Sequence, residues 1–395
     1  MDAELALLRD QRAAFDVPTD VLYLNAASKS VLLKSSVAAG QIGAAAKGRP
    51  WRIGESARLA QAETVRARFA ALIGATADDI AIHPSAAYGI ATAARNLAPA
   101  SGSRVLVLEG EFASNRYAWA NLAQACEAEL LTVARPPDDD WTTAVLAVID
   151  ERVSIAALPP CYWTDGAMLD LRRIGAALKA AGATFVVDAT QWAGAAPLDV
   201  RAIGADYVVC AAYKWLLGPY GHSLMYAAPA HHGGRPLEEH LFNHGGLASV
   251  TAGASTEIRY TAGARRFDAG QYLNLITLPM IEDALGQLID WQPARIAAYL
   301  KPVTDALADA CAGLGYHVTP RPWRSPHFVG VRRPGGFTDA TIHALAAAGV
   351  HASARSGSLR LSPHLFNESL DAERLAQALD AARSAETEGG GFRRP

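Results

Sequence analysis

Apolar positions in this chain follow two rhythms that take turns along its first half. From Gln61 to Ile73 they recur at the spacing of one helix face, and Gly74 then supplies a stop. Ile80-Ala81-Ile82-His83 is a short apolar run of the kind that forms a strand, and Pro84-Ser85-Ala86-Ala87 leads from it into a helix reaching Leu97. The exchange then repeats. Arg104–Leu108 reads as a strand, about Tyr117 to Glu129 as a helix, Ser154–Leu158 as a strand and Leu169–Ala181 as a helix. Thr184–Asp188 and Asp206–Cys210 read as further strands. Strands alternating with helices predict a mostly parallel sheet covered on both faces. In such a sheet a ligand lies beyond the carboxyl ends of the strands. Ser85, Glu109, Asp188 and Lys214 all fall there.

After Gly270 the rhythm changes. Two long helices are expected between Ile276 and Leu314, broken at Pro293. A strand near Tyr316–Thr319, a strand Phe328–Arg333, a helix Thr338–Ala348, a strand Ser358–Leu361 and a helix Asp371–Ala385 follow. The expected division is a large domain over 15–275 and a smaller C-terminal α+β domain over 276–385, on which residues 1–14 can pack. The Gly- and Arg-rich stretch Glu386–Pro395 reads as a frayed, flexible tail. No internal repeat interrupts this plan.

Composition narrows the classes. The chain has 395 residues and is 51% apolar, enough for two domains with a large core. Lys and Arg total 36 against 39 Asp and Glu, a net of -3, which argues against a nucleic-acid partner or a polybasic membrane patch. Met1-Asp2-Ala3-Glu4-Leu5 carries no basic stretch of the secretory kind. No apolar run approaches the roughly 20 residues that span a bilayer. Cys126, Cys161, Cys210 and Cys311 are scattered without a CxxC, so they read as reduced thiols in a cytoplasmic protein, with neither disulfides nor a zinc site.

Candidate chemistry centres on Lys214 and Asp188. Lys214 stands just past a strand in Ala212-Tyr213-Lys214-Trp215, and Asp188 closes Phe185-Val186-Val187 a short crossover earlier. Either residue alone is commonly a solvated rim lysine or a capping aspartate. Together they supply what pyridoxal phosphate requires: a lysine for a Schiff base and a carboxylate that keeps the pyridine nitrogen protonated. Ser85-Ala86-Ala87 between a strand and a helix start can bind an anion through free N–H groups, or Ser85 merely caps the helix. Tyr213 can give a phenolic hydrogen bond to the same phosphate. Phe112 can lie flat on a pyridine ring or pack in the core. Gln191 can donate to the phenolic oxygen of the cofactor or simply start a helix. Arg360 alternates with Leu359 and Leu361, and a fork-shaped guanidinium suits an amino acid carboxylate. Arg355 is the second candidate, and an ordinary surface strand arginine is the alternative. Neither GxGxxG nor GxxxxGK[ST] occurs, and His240 and His244 lack the glutamate of HExxH, so they read as loop histidines.

Three ordered stretches carry a resemblance. Val187-Asp188-Ala189-Thr190-Gln191, Tyr213-Lys214-Trp215-Leu216-Leu217-Gly218-Pro219-Tyr220-Gly221 and Leu359-Arg360-Leu361-Ser362-Pro363-His364-Leu365-Phe366-Asn367 resemble class V aminotransferases. These are fold-type I pyridoxal phosphate enzymes, and their relatives include cysteine desulfurases, selenocysteine lyases, kynureninases and isopenicillin N epimerases. The resemblance runs from Tyr23-Leu24-Asn25 to the last helix. It implies an α/β fold with a mostly parallel seven-stranded sheet. It implies that Lys214 carries the cofactor, Asp188 pairs with the pyridine nitrogen, Gln191 contacts the cofactor oxygen and Phe112 stacks. Ser85, Ala86 and Ala87 would form the phosphate turn, Arg360 would take the substrate carboxylate, and Asn25 would lie on the substrate side. Gly270-Gln271-Tyr272-Leu273-Asn274 matches a stretch that reaches the neighbouring subunit's phosphate, which implies a homodimer with a shared site and places Gln271 and Asn274 in it.

One departure bears on the reaction. Desulfurases carry a nucleophilic cysteine on a loop ahead of the carboxylate arginine, whereas Ala352-Ser353-Ala354-Arg355-Ser356-Gly357-Ser358 has no thiol. The expected cycle has an amino acid displace Lys214 to form an external aldimine, and free Lys214 remove the Cα proton to leave a carbanion. The first expectation is a lyase breaking a Cβ–S bond of a cysteine-type substrate without a persulfide-forming cysteine. The alternatives are an aminotransferase, an epimerase or a decarboxylating deaminase, and, from another class, a non-catalytic protein that binds the cofactor. Asn25–Lys29, Trp51–Ser56, Tyr162–Thr164 and His240–Ala248 are the loops expected to set side-chain specificity.

Overall fold

The computed structural model describes residues 10–245 and 259–389 together with Leu8. Two-residue strand β1, Leu22–Tyr23, opens the chain. Seven strands then build the main sheet: β2 Ile80–His83, β3 Arg104–Leu108, β4 Glu129–Val133, β5 Val153–Leu158, β6 Thr184–Asp188, β7 Tyr207–Ala211 and β8 Ser223–Ala227, in the order β2-β8-β7-β6-β5-β3-β4. All neighbours run parallel except β8, which is antiparallel to both β2 and β7.

The central strands are apolar on both sides because both faces are covered. Leu106, Leu108, Ala156, Leu158, Val187 and Val208 join one core, and Val105, Val107, Ile155, Ala157, Val186 and Val209 join the other. The strict alternation along each strand sorts them. The chain leaves β3 for the edge strand β4 and returns to β5 on the other side of β3. The reversal leaves a crevice beyond the carboxyl ends of β3, β5, β6 and β7.

Several boundaries differ from expectation. The helix after β3 spans Ser114–Ala125 and stops where Cys126 and then Glu127, at φ 54°, turn the chain. Glu129, expected in that helix, begins edge strand β4 instead. The helix after β2 covers Ala86–Arg95, and Lys34–Lys47 and Trp141–Leu146 are additional helices.

The later part is a four-stranded antiparallel sheet, β12-β13-β10-β9, made of β9 His317–Val318, β10 Val329–Arg332, β12 Ser353–Arg355 and β13 Ser358–Leu361. Two-residue β11, Val350–His351, pairs in parallel with β1. Helices Thr277–Trp291 and Pro293–Gly313 meet at Gln292, at φ 63°, where the break at Pro293 was expected. The last helix runs Asp371–Gly389 and so extends into the stretch read as tail, because its strong breakers begin only at Gly389. Residues 390–395 of that stretch, residues 1–7 of the amino terminus and residues 246–248 of the expected specificity loop lie outside the described residues. Phe15 packs against Trp291 and Phe366, and Arg12 donates to the Phe366 carbonyl, which ties the start of the chain to the later part. Among the described residues no helix is long and apolar enough to cross a membrane.

Candidate active site

A cavity of about 280 Å³ opens at the crevice and is lined by Ser85, Ala86, Ala87, Glu111, Phe112 and Lys214, with Asp188, Gln191 and Tyr213 also on its wall. Each arrives from the carboxyl end of a strand. Ser85 follows β2 as the N-cap of helix Ala86–Arg95, its Oγ accepting from the Tyr88 N–H at 3.2 Å. The amides of Ala86 and Ala87, at the first two positions of that helix, have no acceptor within it, and both residues line the cavity. Glu111 and Phe112 follow β3, Asp188 ends β6, and Tyr213 and Lys214 follow β7.

Lys214 is buried, and no carboxylate among the described residues lies within ion-pair distance of its Nζ. Nζ stands 5.5 Å from the Phe112 ring centre and 5.6 Å from that of Tyr213. Burial first, then the charge of Arg360, pull its amine down to about 8, against the attraction of Asp188. Asp188 is likewise 9% exposed, with the Thr190 N–H donating to Oδ1 at 3.0 Å and no cation within ion-pair distance among the described residues.

Two buried, opposite, unpaired charges around one cavity are costly unless a ligand completes them. A pyridoxal phosphate fits these groups. Asp188 would suit its protonated ring nitrogen, the Lys214 amine its carbonyl, and the helix start at Ser85-Ala86-Ala87 its phosphate.

The remaining candidates sort into two groups. Gln191 is held at both ends of its amide: Nε2 donates to the Ala27 carbonyl at 3.0 Å and Oε1 accepts from Trp215 at 2.9 Å. One Nε2 proton is left for the cavity. Phe112 is 42% exposed and meets Trp163 edge-on at 5.4 Å. Tyr213 stacks on Tyr220 at 4.3 Å.

Arg360, Arg355, Asn25, Gln271 and Asn274 do not line this cavity. Arg360 lies just behind it, 2% exposed, its Nη1 donating to the Trp163 carbonyl at 2.8 Å and its Nε without a partner. Its neighbour in the sheet register is Gly330, where a Cβ would collide with the Thr164 carbonyl, so the missing side chain lets β10 and β13 press against the loop carrying Trp163. Arg355 donates to Ser28 Oγ at 2.9 Å and to its own neighbour's carbonyl. Asn25 has a buried Oδ1 without a hydrogen bond. Asn274 Oδ1 accepts from the Ile276 and Thr277 amides at the start of helix Thr277–Trp291. Gln271 is exposed, at φ 64°.

Trp163, from the Tyr162–Thr164 loop expected to set specificity, lines the cavity, as do Thr190 and Tyr220 from the family-like stretches, while Glu111 and His222 were given no role by sequence reasoning. Nothing in the periodicity separates Glu111 from Glu109 beside it. His222, just ahead of β8, lines the cavity, and its Nε2 shares a 2.7 Å hydrogen bond with Thr277 Oγ1, a contact between distant segments. His240 bonds the Asp268 carbonyl and His244 bonds Glu239, as loop histidines do, and no cluster of metal-binding side chains occurs among the described residues.

Fold and cavity together define a fold-type I pyridoxal phosphate enzyme. Residues 50–365 match the family model described as aminotransferase class V, and this chain belongs to that family. It is 29% identical over 300 residues to a kynureninase of Deinococcus radiodurans, covering 71% of this chain and 69% of that one. It is 24% identical over 335 residues to an isopenicillin N epimerase of Streptomyces clavuligerus, covering 80% and 83%. Among solved structures, the cysteine desulfurase CsdA of Escherichia coli superposes with a TM-score of 0.80 at 19% identity, covering 96% of this chain and 98% of that one. The cystine C-S lyase C-DES, in complex with cysteine persulfide, superposes with a TM-score of 0.79 at 17% identity, covering 91% and 97%.

Proposed function

We propose that this enzyme is a Cβ–S lyase acting on a cysteine-type amino acid, without a persulfide-forming cysteine of its own. The observation that carries this reading is the turn ahead of Arg360. Arg355 pairs with Ser358 across a two-residue loop, Ser356 at φ 44° and Gly357 at φ 82°, so the connection is a tight hairpin. It has neither a thiol nor the length to swing one into the cavity. Cys161 borders the cavity but is buried, and desolvation followed by the nearby carboxylates raises its thiol well above the usual range, so it is not a nucleophile. A Cβ–S scission that ends in release of the sulfur leaving group needs no such thiol.

When bound, pyridoxal phosphate supplies an electrophilic carbonyl and an electron-accepting ring. The protein's residues do the rest. Asp188 holds the proton on the ring nitrogen. Arg360 takes the substrate carboxylate and so fixes which Cα bond is labile. Lys214 Nζ, neutral in an appreciable fraction near neutral pH, takes the proton from Cα. Phe112 and Trp163 meet edge-on and give the cavity an aromatic wall. Homodimerisation, with Gln271 of one subunit reaching the other's site, is part of the same proposal.

S-substituted cysteines test it. The lyase releases pyruvate, ammonia and a thiol with no 2-oxo acid added. Turnover that depends strictly on a 2-oxo acid acceptor makes the enzyme an aminotransferase instead, and loss of optical activity without release of a thiol makes it an epimerase.

A further inference from the structure

Glu111 is a buried carboxyl group that the reaction above leaves unused. It is 7% exposed and lines the same cavity as Lys214 and Asp188. The Phe112 N–H donates to its Oε1 at 2.6 Å, while its Oε2 is buried and has no hydrogen-bond partner. No lysine, arginine or histidine among the described residues forms an ion pair with it.

The groups that face it come from every neighbouring element. Asp188, at the end of β6, is a second carboxylate and opposes its ionisation. Cys161 and Tyr162, past β5, feel its charge. Asn115, on the following helix, favours the charged form, yet its Nδ2 makes no hydrogen bond of normal geometry. Lys214 Nζ stands 5.5 Å from the centre of the adjacent Phe112 ring and makes no ion pair with the acid. Burial first, and Asp188 after it, push Glu111 up to about 8, so most of it carries its proton at neutral pH.

We propose that Glu111 is a ligand-binding residue of this site, held as a neutral carboxylic acid whose Oε2 donates a hydrogen bond to an acceptor atom of the bound cofactor or of the amino acid beside it. Such an atom completes a carboxyl oxygen of the cavity wall that is shielded from water and has no hydrogen-bond partner among the described residues. The inference rests on the pyridoxal phosphate site and holds whether the enzyme proves to be a lyase or an aminotransferase.

Glu111→Gln and Glu111→Leu separate the possibilities, because glutamine keeps a neutral donor of similar shape and leucine keeps only the volume. Cofactor affinity comes from absorbance titration, and amino acid affinity from the spectral change on adding substrate. The expected result is E111Q within ~3-fold of wild type and E111L weaker by ~10-fold. The loss falls on the cofactor titration if the acceptor belongs to the cofactor, and on the amino acid titration if it belongs to the substrate. Cofactor-free E111L is expected to melt no lower than wild type. Wild type is expected to lose ligand affinity as pH rises past about 8 while E111Q does not, and this arm stands even if E111L fails to fold. The proposal is overturned if E111L binds both ligands like wild type, if E111Q fails as badly as E111L, or if wild type and E111Q share one pH dependence. A protein whose Lys214 takes up no pyridoxal phosphate at all fails at the level of the site and is recognised by its missing absorbance.

Discussion

Arg66 and Arg360 are almost equally hidden from water, 0% and 2% exposed, yet their surroundings differ. Arg66 grips the Asp268 carboxylate with both Nη atoms, donates to the Ile80 carbonyl at 2.7 Å and meets Glu63 at 3.1 Å through Nε. Burial works against its charge, but Asp268 and Glu63 outweigh that and hold it above its usual range. Arg360 has one carbonyl, from Trp163, and an unpartnered Nε. Burial, then the charge of Arg355, draws it down to about 9. A buried guanidinium whose needs are met inside the chain serves the structure, while one left incomplete beside a cavity waits for an anion from outside.

Arg66→Ala is the harsher way to break this contrast. It strands Asp268 as a buried charge beside β2 and is expected to lower stability by about 3–5 kcal/mol, read from the urea midpoint. Arg360→Ala follows in size. Loss of a buried carboxylate partner costs about 2–5 kcal/mol of substrate binding, so the amino acid's dissociation constant rises at least ~30-fold, while the urea midpoint holds or increases. Should Arg360→Ala lose stability as Arg66→Ala does and still bind substrate normally, the distinction between the two arginines fails.

Much of this division was legible in the sequence, for physical reasons. The β3, β5 and β6 runs are apolar on both faces, so Arg104–Leu108, Ser154–Leu158 and Thr184–Asp188 announce themselves without context. Asp188 and Lys214 mark the cavity because each sits where a strand must end. β4, Glu129–Val133, was hidden: it is an edge strand with polar, half-exposed positions, and the turn before it uses Glu127 at φ 54° where a glycine would have been visible. β8, Ser223–Ala227, was hidden for another reason, since its antiparallel insertion between β2 and β7 is a matter of topology and not of local pattern. Arg66 carried no signal as a buried ion because its partner, Asp268, is distant in sequence. Glu111 needed the fold too, because only packing decides which acid of Glu109-Gly110-Glu111 turns inward.

The smallest expected effect tests whether Arg360 acts on Lys214 through space. Burial lowers the Lys214 amine to about 8, with Arg360 adding to the drop and Asp188 opposing it. A neutral amine is required to accept a proton or attack an electrophile, so Lys214 reactivity rises with pH up to that value. Arg360→Gln removes a cation, which makes the ammonium form easier to keep. The pKa rises, and the reactivity profile moves to higher pH by up to ~1 unit. Asp188→Asn removes an anion and moves the profile the other way. Arg66→Gln, with its charge committed to Asp268 and Glu63, leaves it in place. The measurement is the pH dependence of Lys214 arylation in the cofactor-free protein, followed by mass spectrometry of the peptide that carries it. Opposite displacements from the two cavity charges with none from Arg66 sharpen the contrast between the arginines. Shifts of one sign in all three variants mean that the amine responds to loosened packing, and a field from Arg360 then has no part in preparing it.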